Sequence, residues 1–386
     1  MSTGWVWNER YLWHDTGTAG GPLPISRWVE PMAHIESPDA KRRFANLVAA
    51  SGLLDDLTPL PPRPATVAEL TRVHTAEHVA DVARQAAAGG GNLGGGTPFG
   101  EFSCEIALLA AGGVLTAVEA VVDGTVDNAY ALVRPPGHHA APDHGRGFCL
   151  FNNVAIAARH AQAALGVERI AIVDWDVHHG NGTQDAFWDD PSVLAVSIHQ
   201  DGVYPPGSGP VTDVGGPGAE GTTINVPLPP GSGDGAYRAA FTEVVEPALD
   251  RFAPDLILVA CGFDANGFDP LARQMLSSES FRELTHRVKD AAERHCGGRL
   301  VLAHEGGYSP FAVPFCGLAV VEALSGVRTE VEDPYLPIVE NYGGQLRPHQ
   351  AEAVAAAAAV VPRVPRGLPE TVGRGNDSGS GAFPRA

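Results

Sequence analysis

Short apolar runs alternate along the chain with longer stretches in which apolar positions recur every three to four residues. The runs NAYALV (128–133), RIAIVDW (169–175), SVLAVSIH (192–199), DLILVAC (255–261) and RLVLAH (299–304) are almost continuously hydrophobic, which predicts strands buried on both faces. Between them, SCEIALLAAGGVLTAVEAVVDG (103–124), NNVAIAARHAQAALG (152–166), AYRAAFTEVVEPALDRF (236–252), ESFRELTHRVKDAAERHCGG (279–298) and PFCGLAVVEALSG (314–326) carry the helical period, and several end in glycine. Strands that alternate with helices imply an α/β fold of three layers, α/β/α, with a central, mainly parallel sheet and long loops at the carboxyl ends of its strands. The glycine cluster GGGNLGGGTPFG (89–100) and the stretch YPPGSGPVTDVGGPGAEG (204–221) read as such surface loops. Nothing between them has the composition of a linker, so residues 1–365 are expected to form a single catalytic domain. The Gly- and Ser-rich segment 366–386 is expected to be a disordered tail.

Composition narrows the class. With 386 residues, 44% of them hydrophobic, the chain can bury a sizeable core. It has no run of eighteen apolar residues, and its start, MSTGWVWNERYLWHD, has neither the charged nor the apolar region of a secretory signal, so a cytoplasmic protein without membrane partners is expected. Five scattered cysteines without a C-x-x-C pair suit reduced thiols. A formal charge of −19 with only 26 Lys and Arg argues against nucleic-acid binding.

The chemistry gathers at the strand ends, where open α/β sheets bind their ligands. The expected strands run out into Arg134–His139, Asp174–His179, His199, Cys261–Asp264 and His304–Tyr308. In DWDVHHGNG (174–182), a spacing of two along an extended chain puts Asp176 and His178 on one side, with Asp174 behind them. One imidazole plus carboxylates without a thiolate fits zinc with an open position, and Asp264 at a neighbouring strand end supplies a third ligand. The same residues also suit a hydrogen-bonded pair in a loop. The tandem His138 and His139, stiffened by Pro135 and Pro136, are candidates for proton transfer near neutral pH, and Tyr308 follows two glycines at another strand end.

The motifs RPPGHHA, GFCLFNNVAIAA, DWDVHHGNGTQ, SIHQ, NVPLPPG, GFDA…DPLA and EGGYSP, with HIESPDAKRR and ELTRVHTAEHV before them, resemble the zinc-dependent histone deacetylase and acetylpolyamine amidohydrolase superfamily over residues 1 to 345. The spelling is that of class II, and of bacterial histone-deacetylase-like amidohydrolases in particular. The resemblance implies an arginase/deacetylase-like fold in which Asp176, His178 and Asp264 bind Zn²⁺. It makes His139 the general base and later the general acid, pairs His138 with Asp174, and gives Tyr308 a hydrogen bond to the acyl oxygen. It further implies a structural K⁺ held by the Asp174 and Ser197 side chains with backbone carbonyls of Asp176, His178 and Ile198. Around the substrate it implies Gly147, Phe148, Leu271 and Gly306, with Tyr204 in place of the more usual Phe on the wall opposite Phe148. Asn181 stands where some members carry an Asp, so His139 should be less basic here.

Hydrolysis of an N-acyl alkylamine is therefore expected, most simply acetyl-lysine in a peptide or protein. Acetylpolyamines or a related small metabolite are the alternative, and an acyl-lysine binding protein without turnover is a more distant one. A polyamine-selective relative has Glu at the position of Leu271; Glu101 or Glu105 could substitute for it, although both read as a solvated helix start. Homo-oligomers are common among relatives.

Overall fold

A computed structural model of the chain describes residues 2–367. The expected tail lies outside the described residues except for its first two positions. Eight strands form one wholly parallel sheet: β1 (Thr3–Val6), β2 (Thr58–Pro59), β3 (Asn128–Ala131), β4 (Ile170–Asp174), β5 (Val193–Gln200), β6 (Thr223–Leu228), β7 (Leu256–Cys261) and β8 (Leu300–His304). Their order is β6-β5-β4-β7-β8-β3-β1-β2. The five apolar runs all become interior strands. The two edges, β6 and β2, are missing from the hydrophobic pattern because each carries a proline, Pro227 and Pro59, which only an edge accommodates without losing a ladder bond.

Period-two alternation divides each strand between two cores. On β7, Ile257, Val259 and Cys261 face one cluster, and Leu256, Leu258 and Ala260 face the other. Helices α1 (Asp39–Ala50), α5 (Ser278–Cys296) and α6 (Val313–Ser325) cover the first face, while α2 (Ser103–Val122) and α3 (Asn153–Leu165) cover the second, with α4 (Asn181–Phe187) adding Phe187 there. The fold is thus the expected three-layer α/β/α. By length and composition α2 could cross a membrane, but 72% of its apolar window is buried within the fold. The segment read as one helix over 236–252 widens into a π turn at Phe241–Val245 just before Pro247, which lacks the N–H an unbroken α-helix would use.

One expectation is corrected. The glycine cluster 89–100 is not an irregular loop but a short antiparallel hairpin, Gly90–Asn92 against Pro98–Gly100. Gly90 sits at φ +119°, where a side chain would strike the backbone of Phe99 and Gly100, so glycine here permits pairing instead of preventing it.

Where the chain leaves the carboxyl end of β3, Arg134 (2.8 Å) and Lys41 (3.1 Å), both buried, enclose the fully buried Glu36. Burial would raise the Glu36 pKa, but Arg134 and then Lys41 outweigh it and hold the carboxyl well below its ordinary value. A depressed carboxyl contributes stability that is full above its unfolded pKa of about 4.3 and is lost as pH falls below it. Glu36→Gln is therefore expected to destabilise the fold at pH 7 by about 3–5 kcal/mol, the cost of breaking a buried pair. In denaturant titrations the gap to wild type should narrow below about pH 4.3; a gap independent of pH would refute the charge-based account.

Candidate active site

β4 and β7 are neighbours, with Asp174 in register with Ala260, so the segments leaving them run side by side. The strand ends at Asp174, and it is the following loop, not an extended strand, that brings Asp176 and His178 together. Their ligand atoms and one from Asp264 all lie within 4.8 Å of one another, in a buried position. Each carboxylate is anchored by backbone: Asp264 Oδ1 accepts from Val177 N–H (2.8 Å) and Asp176 Oδ2 from Gly306 N–H (2.8 Å). His178 Nδ1 is 3.1 Å from both Asp176 Oδ1 and Asp264 Oδ2.

This donor set asks for a cation. Among the described residues no Lys or Arg pairs with Asp176 or Asp264. Burial, and then the neighbouring Asp176, pushes the Asp264 carboxyl up. Burial would lower His178, yet Asp264 and Asp176 drive it up to about 10. Two buried carboxylates, one imidazole and no thiolate fit a divalent ion such as zinc. A second grouping, Glu69, Glu119 and His160, differs because Arg63 pairs with both carboxylates and Arg72 meets His160, so its charge is already balanced.

His138 and His139 follow β3 with ring centroids 4.0 Å apart. Glu305, one residue beyond β8, holds this loop by accepting from the N–H groups of Gly137 (2.6 Å) and His138 (3.1 Å). The two imidazoles have opposite electrostatics. Burial opposes charge on His138, but Asp176 and Asp174 raise its pKa well above the ordinary value, and Nδ1 donates to Asp174 Oδ2 at 2.9 Å. His139 is pushed well below the ordinary value by burial and by the charges of His138 and His178. Its Nδ1 meets Asn181 Oδ1 at 2.9 Å, while Asn181 Nδ2 donates to the His139 carbonyl. That orientation makes Nδ1 the protonated nitrogen and leaves Nε2 with a lone pair.

A cavity of about 740 Å³ opens above this cluster, and His139, His178, Gly147, Phe148, Tyr204, Leu271 and Tyr308 all reach it. Phe148 adopts φ +69°, unusual for a bulky side chain, with its N–H bonded to Thr97 Oγ1 (3.1 Å); its ring stands edge-on to Tyr308 at 5.7 Å. A side chain at Gly147 would collide with the His139 ring. Tyr204 packs 4.9 Å from His139, and its hydroxyl donates to the Gly95 carbonyl (2.9 Å), so its polar edge secures the glycine hairpin. Gly306 is placed differently from expectation: it does not line the cavity but lies under the carboxylates of Asp264 and Asp176, where any side chain would collide with them. Asp174 and Ser197 face each other in register across β4 and β5, and Ser197 Oγ also meets His199 Nδ1 at 2.9 Å.

Two supporting residues escaped the sequence reading. Asp269 accepts from the N–H groups of both Leu271 and Tyr308, each at 2.8 Å, so one buried carboxylate sets two cavity walls; Glu305 does the same for the tandem histidines. They stand beside Pro270 and Gly306 in the motifs DPLA and EGGYSP, and apart from the local bond of Asp269 to Leu271 they hold backbone distant in sequence, Tyr308 for Asp269 and Gly137 and His138 for Glu305, which spacing does not reveal.

Comparison with known proteins agrees with this architecture. Residues 34–324 match the model of the histone deacetylase domain. The chain is 51% identical over 341 residues to a histone deacetylase-like amidohydrolase of Pseudomonas aeruginosa, covering 88% of this chain and 90% of that one. It is 37% identical over 347 residues to a probable deacetylase of Archaeoglobus fulgidus, covering 87% and 91%. The crystal structure of the HDA15 HD domain superposes with a TM-score of 0.78 at 36% identity, over 94% of this chain and 98% of that one. Sequence, fold and strand-end cluster lead to one conclusion: the chain belongs to the histone deacetylase family and is a hydrolytic enzyme.

Proposed function

We propose that this enzyme removes an acyl group, in the first instance acetyl, from the side-chain amine of acetyl-lysine in a peptide or protein. The observation that carries the reading is the convergence, at the inner end of one cavity, of a neutral imidazole with a free Nε2, a tyrosine hydroxyl and a buried three-ligand cluster. Held by Asp176, His178 and Asp264, zinc would supply Lewis acidity, polarising the amide carbonyl and acidifying water. His139 takes the proton of the attacking water at Nε2 and later delivers it to the departing amine nitrogen. Asn181 fixes the tautomer that makes this possible, and His138, charged against Asp174, keeps its neighbour neutral beforehand. Tyr308, whose phenol is kept protonated by burial, donates to the acyl oxygen as that atom gains charge. Phe148 and Tyr204 flank the linear methylene chain. A potassium ion beside Asp174 and Ser197 belongs to the same reading, as does a single catalytic unit spanning residues 1–365.

The test is steady-state turnover of an acetyl-lysine peptide by the zinc-loaded protein, with and without a hydroxamate chelator. Turnover abolished by the chelator is expected; binding of the peptide without hydrolysis would refute acetyl-lysine as the substrate and point to another amide. Within the same assay, Tyr308→Phe should reduce kcat by about 10²–10³ with little change in KM, since its hydrogen bond strengthens only in the transition state. A rise in KM at unchanged kcat would reassign Tyr308 to ground-state binding.

A further inference from the structure

We infer that the outer part of the cavity is a subsite for an uncharged, apolar flank of the substrate, so that the enzyme selects acyl-lysine set among hydrophobic residues and discriminates against acetylated polyamines. This rests on the deacylase reading above and adds to it a rule for the amine side of the substrate.

The cavity's size is the first observation. At about 740 Å³ it lies in the upper part of the range of roughly 300–1,000 Å³ found for small-molecule sites, more than an acetylated four-carbon amine fills. Beyond the catalytic cluster its lining includes the segment that presents Pro22, Leu23, Pro24 and Ile25 and, adjoining it, the glycine hairpin, where Gly94, Gly95 and Gly96 offer bare backbone; the side chains of Thr18, His34 and Asn92 add neutral polar groups.

The second observation is the lack of any carboxylate, ammonium or guanidinium in the lining. Among the described residues that line this cavity there is no Asp, Glu, Lys or Arg. Glu101 and Glu105, which lie just after the hairpin in sequence, do not reach it, and Glu105 is paired with Arg10 at 2.9 Å. Leu23 and Ile25, by contrast, are held 60% and 51% exposed. Their segment is built to keep them there: Gly20 and Leu23 exchange backbone hydrogen bonds (2.7 and 3.2 Å), and Ile35 N–H binds the Gly21 carbonyl. On the hairpin, the Gly95 carbonyl accepts from both Tyr204 and Gly147, which fixes its tip.

Acetyl-lysine and an acetylated diamine such as N-acetylputrescine share the same four methylenes and diverge only at the next atom. In a peptide that atom is Cα, followed by neutral amides and the neighbouring side chains; in the diamine it is an ammonium. In this cavity the ammonium meets apolar and neutral polar groups only and loses water without gaining a carboxylate, which penalises it. The overall charge of −19 draws cations toward the protein from a distance but supplies no partner inside the cavity. An apolar flank instead covers Leu23 and Ile25 and gains by removing both surfaces from water.

The experiment compares kcat/KM for three amides: an acetyl-lysine peptide with leucine on both sides, the same peptide with lysine on both sides, and N-acetylputrescine. The leucine-flanked peptide is expected to exceed each of the others by about tenfold or more. Leu23→Glu, at an exposed position, should narrow or reverse that order by supplying the missing carboxylate. Equal or better turnover of the lysine-flanked peptide or of N-acetylputrescine by the wild type overturns the subsite, as does a Leu23→Glu protein with unaltered preference. If none of the three is hydrolysed, the deacylase reading itself fails and the subsite falls with it, an outcome distinct from turnover without preference.

Discussion

His139→Ala is expected to lose about two to four orders of magnitude in turnover on an acetyl-lysine peptide while keeping its zinc, the range general acid–base catalysis contributes. The reason lies in the division of labour between adjacent imidazoles. His138 is drawn to its charged form by Asp176 and Asp174 and therefore cannot accept a proton; His139 is kept neutral by burial and by that same charge. Its Nδ1 is committed to Asn181, so only Nε2 is free, and it faces the cavity beside Tyr204. Because His139 is not among the three clustered ligands, metal content measured by atomic absorption should match wild type. Loss of zinc together with activity would mean that the residue supports the ligand cluster. Near-normal turnover with zinc in place would remove it as the base. Asn181→Asp offers a finer comparison, since a negative partner on Nδ1 raises the basicity of Nε2 and should move the pH dependence of kcat/KM without abolishing it.

The legibility of this site in the sequence was uneven for physical reasons. Five of the six interior strands announce themselves because burial on both faces demands continuous hydrophobicity, whereas β1, four residues long and carrying Thr3 and Gly4, does not; the reactive residues follow the five because a parallel sheet collects its strand ends at one rim. Asp176, His178 and Asp264 were readable on those grounds, although extended alternation gave the wrong local reason: the strand stops at Asp174 and a loop completes the geometry. The edge strands β2 and β6 were not readable, because their prolines contradict the strand pattern and only their position at the edges makes them tolerable. The glycine hairpin was hidden by its own composition. Glu305, Asp269 and Glu36 were hidden for another reason: each has a decisive partner distant in sequence, the Gly137 and His138 backbone for Glu305, the Tyr308 backbone for Asp269 and Arg134 for Glu36, and no local pattern encodes such a partner.

Asp264→Asn should abolish tight zinc binding and lower turnover at least about a thousandfold, since Lewis acidity is worth several kcal/mol of transition-state stabilisation and each 1.4 kcal/mol is tenfold. Asparagine is the informative replacement. It keeps an oxygen to accept from Val177 N–H, so the loop after β4 stays anchored, whereas alanine would strand that buried donor at a cost of about 1–3 kcal/mol. The charge argument then gives a two-sided signature in thermal unfolding. Without zinc, wild type carries two buried carboxylates against one imidazole, and removing one relieves that repulsion, so the variant should be as stable as wild type or more so. With zinc added, wild type gains stability by mass action as its native state binds the ion, and the variant does not, so the order reverses. If Asp264→Asn still holds one zinc tightly and turns over normally, the ligand set is wrong. If instead the variant is destabilised equally with and without zinc, Asp264 acts only as an anchor for the Val177 backbone, and the cation must sit on other residues.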